Sequence, residues 1–181
     1  MHASILPNYL KTFNFKVCYD MLPFKTKFVN FQLDTDSRCN FCNFHPDTHP
    51  HVFCKCSVLV DVWKFLDKIM ELMNFNYRFE VRRAMYDYVL MGKIAKVEEM
   101  PIVYLNSIVN QKIWHVSRKI QNENCKFDLE VFKSSIVKSL CARKAVENSD
   151  RMRHCQKIAC IDRLCEAAKT AVTLTILDAE T

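Results

Sequence analysis

The chain has 181 residues, half of them hydrophobic and 12% aromatic, with charged residues at 25%. That is enough apolar material for a core, which excludes a disordered tail, and no apolar run reaches the ~18 residues that a membrane span needs. A single glycine, Gly92, excludes a glycine-rich phosphate loop, while a net charge of +6 permits nucleic acid as a partner without requiring it. The opening MHASILPNYLK lacks the basic start, apolar centre and small-residue cleavage site of a secretory signal. An intracellular setting is therefore expected, in which ten cysteines read as thiols or metal ligands rather than disulfides.

In chain order, Leu10, Phe13, Val17 and Met21, then Phe24, Phe28 and Phe31, recur at helical spacing. Pro23 divides this stretch into two short helices within residues 1–33. Residues 34–56 form a Cys/His-rich loop. Beyond it, Ser57 is expected to cap a helix with Leu59, Val62, Trp63, Leu66, Ile69, Met70 and Met73 on one face. FNYRF breaks the pattern, and VRRAMYDYVLMG reads as irregular. Pro101 suits the first turn of a long helix facing inward with Leu105, Ile108, Val109, Lys112, Ile113, Val116 and Ile120. Asp128 is placed to cap a helix to about residue 147, with Leu129, Phe132, Ile136 and Leu140 inside. A last helix, opened by Ser149 or Asp150, occupies 148–181 and has no assigned role. The expected fold is mainly α: a small helical domain completed by 57–147, with the Cys/His loop between its second and third helices.

Residues 39–56 read CNFCNFHPDTHPHVFCKC. Cys39 and Cys42, two residues apart, form a compact chelating turn for zinc, which takes four thiolate or imidazole ligands in structural sites. The second pair must come from His45, His49, His51, Cys54 and Cys56. His49–Cys54 and His51–Cys56 share the same spacing, so spacing leaves both open. No carboxylate base stands beside an open metal position, so the zinc is expected to be a single structural ion whose binding is coupled to folding. Cys155, Cys160 and Cys165 recur every five residues, which spreads them around a helix. They read as ordinary small residues, and Cys18, Cys125 and Cys141 have no partner spacing.

The loop and its flanks resemble the zinc-binding region near the C-terminus of reverse transcriptases of non-LTR (LINE-type) retrotransposons. The residues that carry the resemblance are Cys39, Cys42, Asp47-Thr48, His51, Cys56 and Trp63, preceded by FNFKVCYDMLPFKTKF, in which Phe15 stands where tryptophan is usual. YVLMG and PIVYLNSIVNQKIWHVSRKI are similar to the segments that follow, so the resemblance spans roughly residues 10–145. It implies Cys39, Cys42, His51 and Cys56 as ligands, with His45, His49 and Cys54 as bystanders or fallback ligands and Asp47 orienting a ligand from behind. A Gag-type knuckle is excluded, because its histidine position holds Asp47.

The same resemblance implies binding to RNA or DNA and, with the basic charge, a nucleus or cytoplasm setting; the candidate contacts, read from their charge, are Lys25, Lys27, Arg38, Lys55, Lys112, Arg118 and Lys119. Phe41, Phe44 and Phe53 could stack on unpaired bases. No Asp-Asp pair exists for a polymerase metal site, so the chain is expected not to be an enzyme and to have no small-molecule substrate and no membrane partner. It reads as a piece detached from any polymerase core. The alternatives are a structural module docking on a reverse transcriptase core, or an element remnant without a role.

Overall fold

Pro7 has no N–H to donate and enters α1 (Asn8–Cys18) with φ −63°, the angle its ring imposes. Helical spacing then turns Leu10, Phe13 and Val17 inward and leaves Phe15 and Tyr19 at the surface. The helix ends where Asp20 takes φ 50°, a conformation its short polar side chain tolerates. Pro23 separates α1 from α2 (Lys25–Val29), as the sequence predicts. The apolar repeat does not carry α2 to Phe31, which is exposed. The computed structural model describes residues 6–29, 31, 36–74, 100–149 and 155–179, and every regular element among them is helical.

A short 3-10 turn, Ser57–Leu59, leads into α3 (Val60–Leu72). Ser57 opens this turn but makes no side-chain capping bond; the residue that flanks α3 is Leu59, and Asp61 in the first turn complements the helix dipole instead. Val62, Trp63, Leu66, Ile69 and Met70 are buried as the pattern predicts, and Phe65 joins them. The face is wider than one stripe because two later helices, α5 (Leu129–Ser149) and α6 (Cys155–Ala179), pack on α3. The FNYRF break and the YVLMG segment lie in residues 75–99, outside the described residues.

The central element is α4 (Met100–Glu123), which touches α1, α5 and α6 as well as the Cys/His loop. Tyr104, Leu105, Val109 and Ile113 are sealed from solvent along it, while Lys112 sits half-buried, and burial pushes its pKa down. Polar side chains on the same helix serve as ties: Asn14 of α1 donates to Ser107 Oγ at 2.8 Å. Asp128 caps α5 (Leu129–Ser149) as expected, its carboxylate accepting the Val131 N–H at 3.0 Å. Phe132, Ile136 and Leu140 face inward, and the buried Lys133 reaches out to Glu130 at 2.7 Å while lying over the Phe65 ring.

The last helix, α6 (Cys155–Ala179), packs along α5 and α3. Leu164, Ala168 and Ala171 belong to the same hydrophobic cluster as Leu10 of α1. Arg163 donates to the carbonyl of Met73 at 3.1 Å and so closes the end of α3. The helix to which no role could be assigned therefore completes the core. No helix among the described residues is long and apolar enough to cross a membrane.

Ile69 lies at the junction of α3 with its neighbours and is fully buried. Ile69→Ala is expected to lower unfolding stability by about 3 kcal/mol, whereas Val131→Ala, at an exposed site of α5, should change it by less than about 0.5 kcal/mol. Urea unfolding of the two variants checks the contrast; equal losses would place the core elsewhere.

Candidate metal centre

The Cys39–Cys42 turn is built by backbone pairing. Arg38 and Pro46 form an isolated antiparallel bridge, the Cys39 N–H donates to the His45 carbonyl at 2.7 Å, and the Asp47 N–H donates to Ser37. Asn43 closes the tip with φ 52°, which asparagine accepts more readily than most residues. The N–H groups of Phe41 and Cys42 point at the Cys39 sulfur. Such a knuckle delivers two sulfurs to one point with little freedom left to lose.

The second pair comes from an unusual turn. Residues His51–Lys55 form a π-helical turn, closed by the Cys56 N–H donating to the His51 carbonyl at 2.9 Å. In an α-helix a step of five residues rotates by about 140°. The wider π turn instead brings His51 and Cys56 round to the same side. Thr48 holds its start, its carbonyl accepting the Val52 N–H and its hydroxyl facing the His51 N–H at 3.3 Å.

Four ligand atoms meet as a result. Those of Cys39, Cys42, His51 and Cys56 all lie within 4.8 Å of one another, and His51 Nε2 stands 3.3 Å from Cys42 Sγ. A tetrahedron with ~2.3 Å zinc–sulfur bonds has edges of ~3.8 Å, so a contraction of about 1 Å closes the shell. Cys39 and Cys56 share a hydrogen bond: it and burial push the Cys39 thiol up, and it draws Cys56 below the usual thiol range. Burial holds the His51 pKa down and so favours the neutral imidazole that a metal takes as ligand. Three clustered sulfurs and one neutral imidazole are the donor set of a structural zinc ion, and the residues present fit one such ion with all four positions supplied by protein.

The fallback ligands face elsewhere. His49 is buried between Phe24 and Phe53, with ring centroids at 5.6 and 5.1 Å, and burial lowers its pKa to about 4. Cys54 is buried in the hydrophobic cluster. His45 lies beside His51, ring to ring at 5.0 Å, but adds no atom to the four-ligand group.

Asp47 acts on His51 through its charge and also ties the loop to its neighbours. It is fully buried, and its Oδ2 accepts the Lys25 N–H at 2.8 Å and the Arg118 guanidinium at 3.2 Å. Its backbone carbonyl accepts the Thr26 hydroxyl at 2.8 Å. Arg118 also lies over the Trp114 ring, 4.2 Å from its centroid, and donates to the Pro23 carbonyl. One residue earlier on α4, Ser117 receives the Asn40 amide on both its carbonyl and its hydroxyl, each at 3.0 Å. Sequence reasoning missed Asn40 and Ser117 entirely; only their separation of 77 residues, invisible to local patterns, joins them.

The other basic candidates are partly committed too. Lys27 pairs with Asp20, Arg38 with Asp36 and Lys119 with Glu123, while Lys25 Nζ donates to the Arg38 carbonyl. Lys55 is exposed with no carboxylate partner among the described residues. Of the aromatic candidates, Phe53 is buried, Phe41 packs edge-on to Phe127, and Phe44 is 79% exposed.

Native mass spectrometry on protein kept reduced is expected to show one zinc. Cys56→Ser and His51→Ala should lose it, and Cys54→Ser should keep it; zinc retained in Cys56→Ser would assign the ligands wrongly. Arg118→Ala leaves a buried carboxylate with no cation, and should cost about 3 kcal/mol in urea unfolding. The Asp47→Asn/Arg118→Ala double variant should cost less than the sum of the single changes; strict additivity would deny the pairing.

Comparison with known proteins agrees with this geometry. No curated protein and no solved structure matches the chain. Residues 1–63 match the family described as zinc-binding in reverse transcriptase. That match spans α1, α2, all four ligands and the start of α3 through Trp63, and leaves the later resemblance, to residue 145, outside it. The first 63 residues of this chain are thus similar to the zinc-binding region of reverse transcriptases, and they hold the Cys3His group that fits one structural zinc.

Proposed function

We propose that the chain is a non-enzymatic nucleic-acid-binding module of LINE-type retrotransposon origin, whose zinc loop is a structural element and whose binding surface lies beside it. The observation that carries this reading is a cleft of about 610 Å³ between the knuckle and the end of α4. Its walls hold Lys25 and Lys126, the rings of Phe41 and Phe127, and the amides of Asn43 and Asn124, with no carboxylate among the lining residues. Cations for phosphate, rings for base faces and amides for base edges are the three elements of single-strand recognition. Lys126 is exposed and has no carboxylate partner among the described residues. Phe41 lies between two zinc ligands, so the metal fixes one wall of the cleft.

A protein-docking role has one observation in its favour. Phe15, Tyr19 and Met21 are each more than half exposed at the end of α1, an apolar edge suited to a reverse transcriptase core. Docking there would be insensitive to salt, whereas phosphate binding would not.

Fluorescence anisotropy of zinc-loaded protein with single-stranded RNA and DNA oligonucleotides decides between them. Binding should weaken with salt, the log–log slope falling by ~0.7 for each phosphate neutralised. Lys126→Glu should raise Kd by about tenfold and flatten that slope, and zinc removal should weaken binding. Absence of binding, or binding untouched by salt and by Lys126→Glu, would overturn the proposal; weakening by Tyr19→Ser instead would favour docking.

A further inference from the structure

A second pair of cysteines, remote in sequence from the zinc loop, is brought together by the helical packing. Cys141 on α5 and Cys165 on α6 place their sulfurs 2.7 Å apart, about 0.7 Å beyond the length of a disulfide bond. Cys165 is fully buried and Cys141 is partly open to solvent. Leu140, Leu164 and Ala168 are sealed from solvent on the same two helices. Lys169, one turn beyond Cys165 and paired with Glu166, is a cation close enough to act on both sulfurs. Burial and the neighbouring sulfur push the Cys165 thiol up to about 11, and the more open Cys141 is the sulfur that a peroxide in solution can reach.

We propose that Cys141 and Cys165 are an oxidisable dithiol site, which a peroxide converts to a reversible disulfide joining α5 to α6. The Cys141 thiolate attacks one peroxide oxygen: an S–O bond forms, the O–O bond breaks, and the departing oxygen leaves as water after taking a proton. The Cys165 sulfur then displaces the hydroxyl from the Cys141 sulfenic acid. An S–S bond forms, the S–O bond breaks, and the hydroxide leaves as water with the Cys165 proton. The two thiols lose two electrons and two protons in all, and hydrogen peroxide takes them up to give two waters. A thiol reductant reverses the step by exchange.

The test uses the full zinc-loaded chain and hydrogen peroxide. After alkylation of remaining thiols and tryptic digestion, mass spectrometry should find SLCAR (139–143) joined to LCEAAK (164–169), two hydrogen atoms lighter than their sum, and dithiothreitol should separate them. Oxidation should raise Tm by about 5–10 °C, because the bond closes a loop of about 25 residues. Cys165→Ser should stop at a Cys141 sulfenic acid that dimedone traps, and Cys141→Ser should show neither adduct nor shift. Oxidation confined to the zinc-loop cysteines, or an equal Tm shift in wild type and Cys141→Ser, would overturn the proposal.

Discussion

The carboxylate of Asp47 is the constraint on which the rest of the site depends. A fully buried charge is tolerated only when partners replace the water it has lost, and here they come from two distant parts of the chain. One is the first N–H of α2, which has no partner within the helix, and the other is the Arg118 guanidinium on α4. The arrangement is self-reinforcing. The carboxylate satisfies a helix end, the guanidinium lies over the Trp114 ring, and the loop between them is held against α4. Asn40 grips the adjacent Ser117 at the other end of the knuckle. Two consecutive residues of one helix thus hold a loop that has no regular sheet and little core of its own.

Metal and packing divide the work within that loop. The knuckle and the π turn set four ligand atoms close together, and zinc replaces thiol protons that the buried sulfurs otherwise have to share. His49, just before the turn, and Phe53, on it, carry the opposite duty: they pack on Phe24 and attach the loop to the N-terminal helices. Loss of the ion would therefore reach beyond the ligands, to the contacts through which α1 and α2 join the core.

The division of the basic residues follows from the same geometry. Arg118 serves the fold, because its planar guanidinium can bond a carboxylate and a carbonyl while stacking on a ring. Lysines at the rim of the cleft have no such dense set of partners. A net charge of +6 therefore overstates what a polyanion would meet, and the position of each cation matters more than the total.

By itself the sequence determined the helical class, the division at Pro23, the Asp128 cap and the inward faces of α3 and α5. These are local: they follow from proline geometry, capping chemistry and a repeat of 3.6 residues. It also determined that a metal site lies in residues 39–56, because soft ligands at chelating distance are rare without one. Spacing alone could not choose between His49–Cys54 and His51–Cys56. The choice turns on where a π turn begins, and that is decided by Thr48, the knuckle and the apolar pull on His49 and Cys54. The roles of Asp47, Arg118, Ser117 and the Cys141–Cys165 pair were likewise out of reach. Each depends on a partner tens of residues away, and only tertiary packing, by excluding water from both, turns such a pair into an interaction.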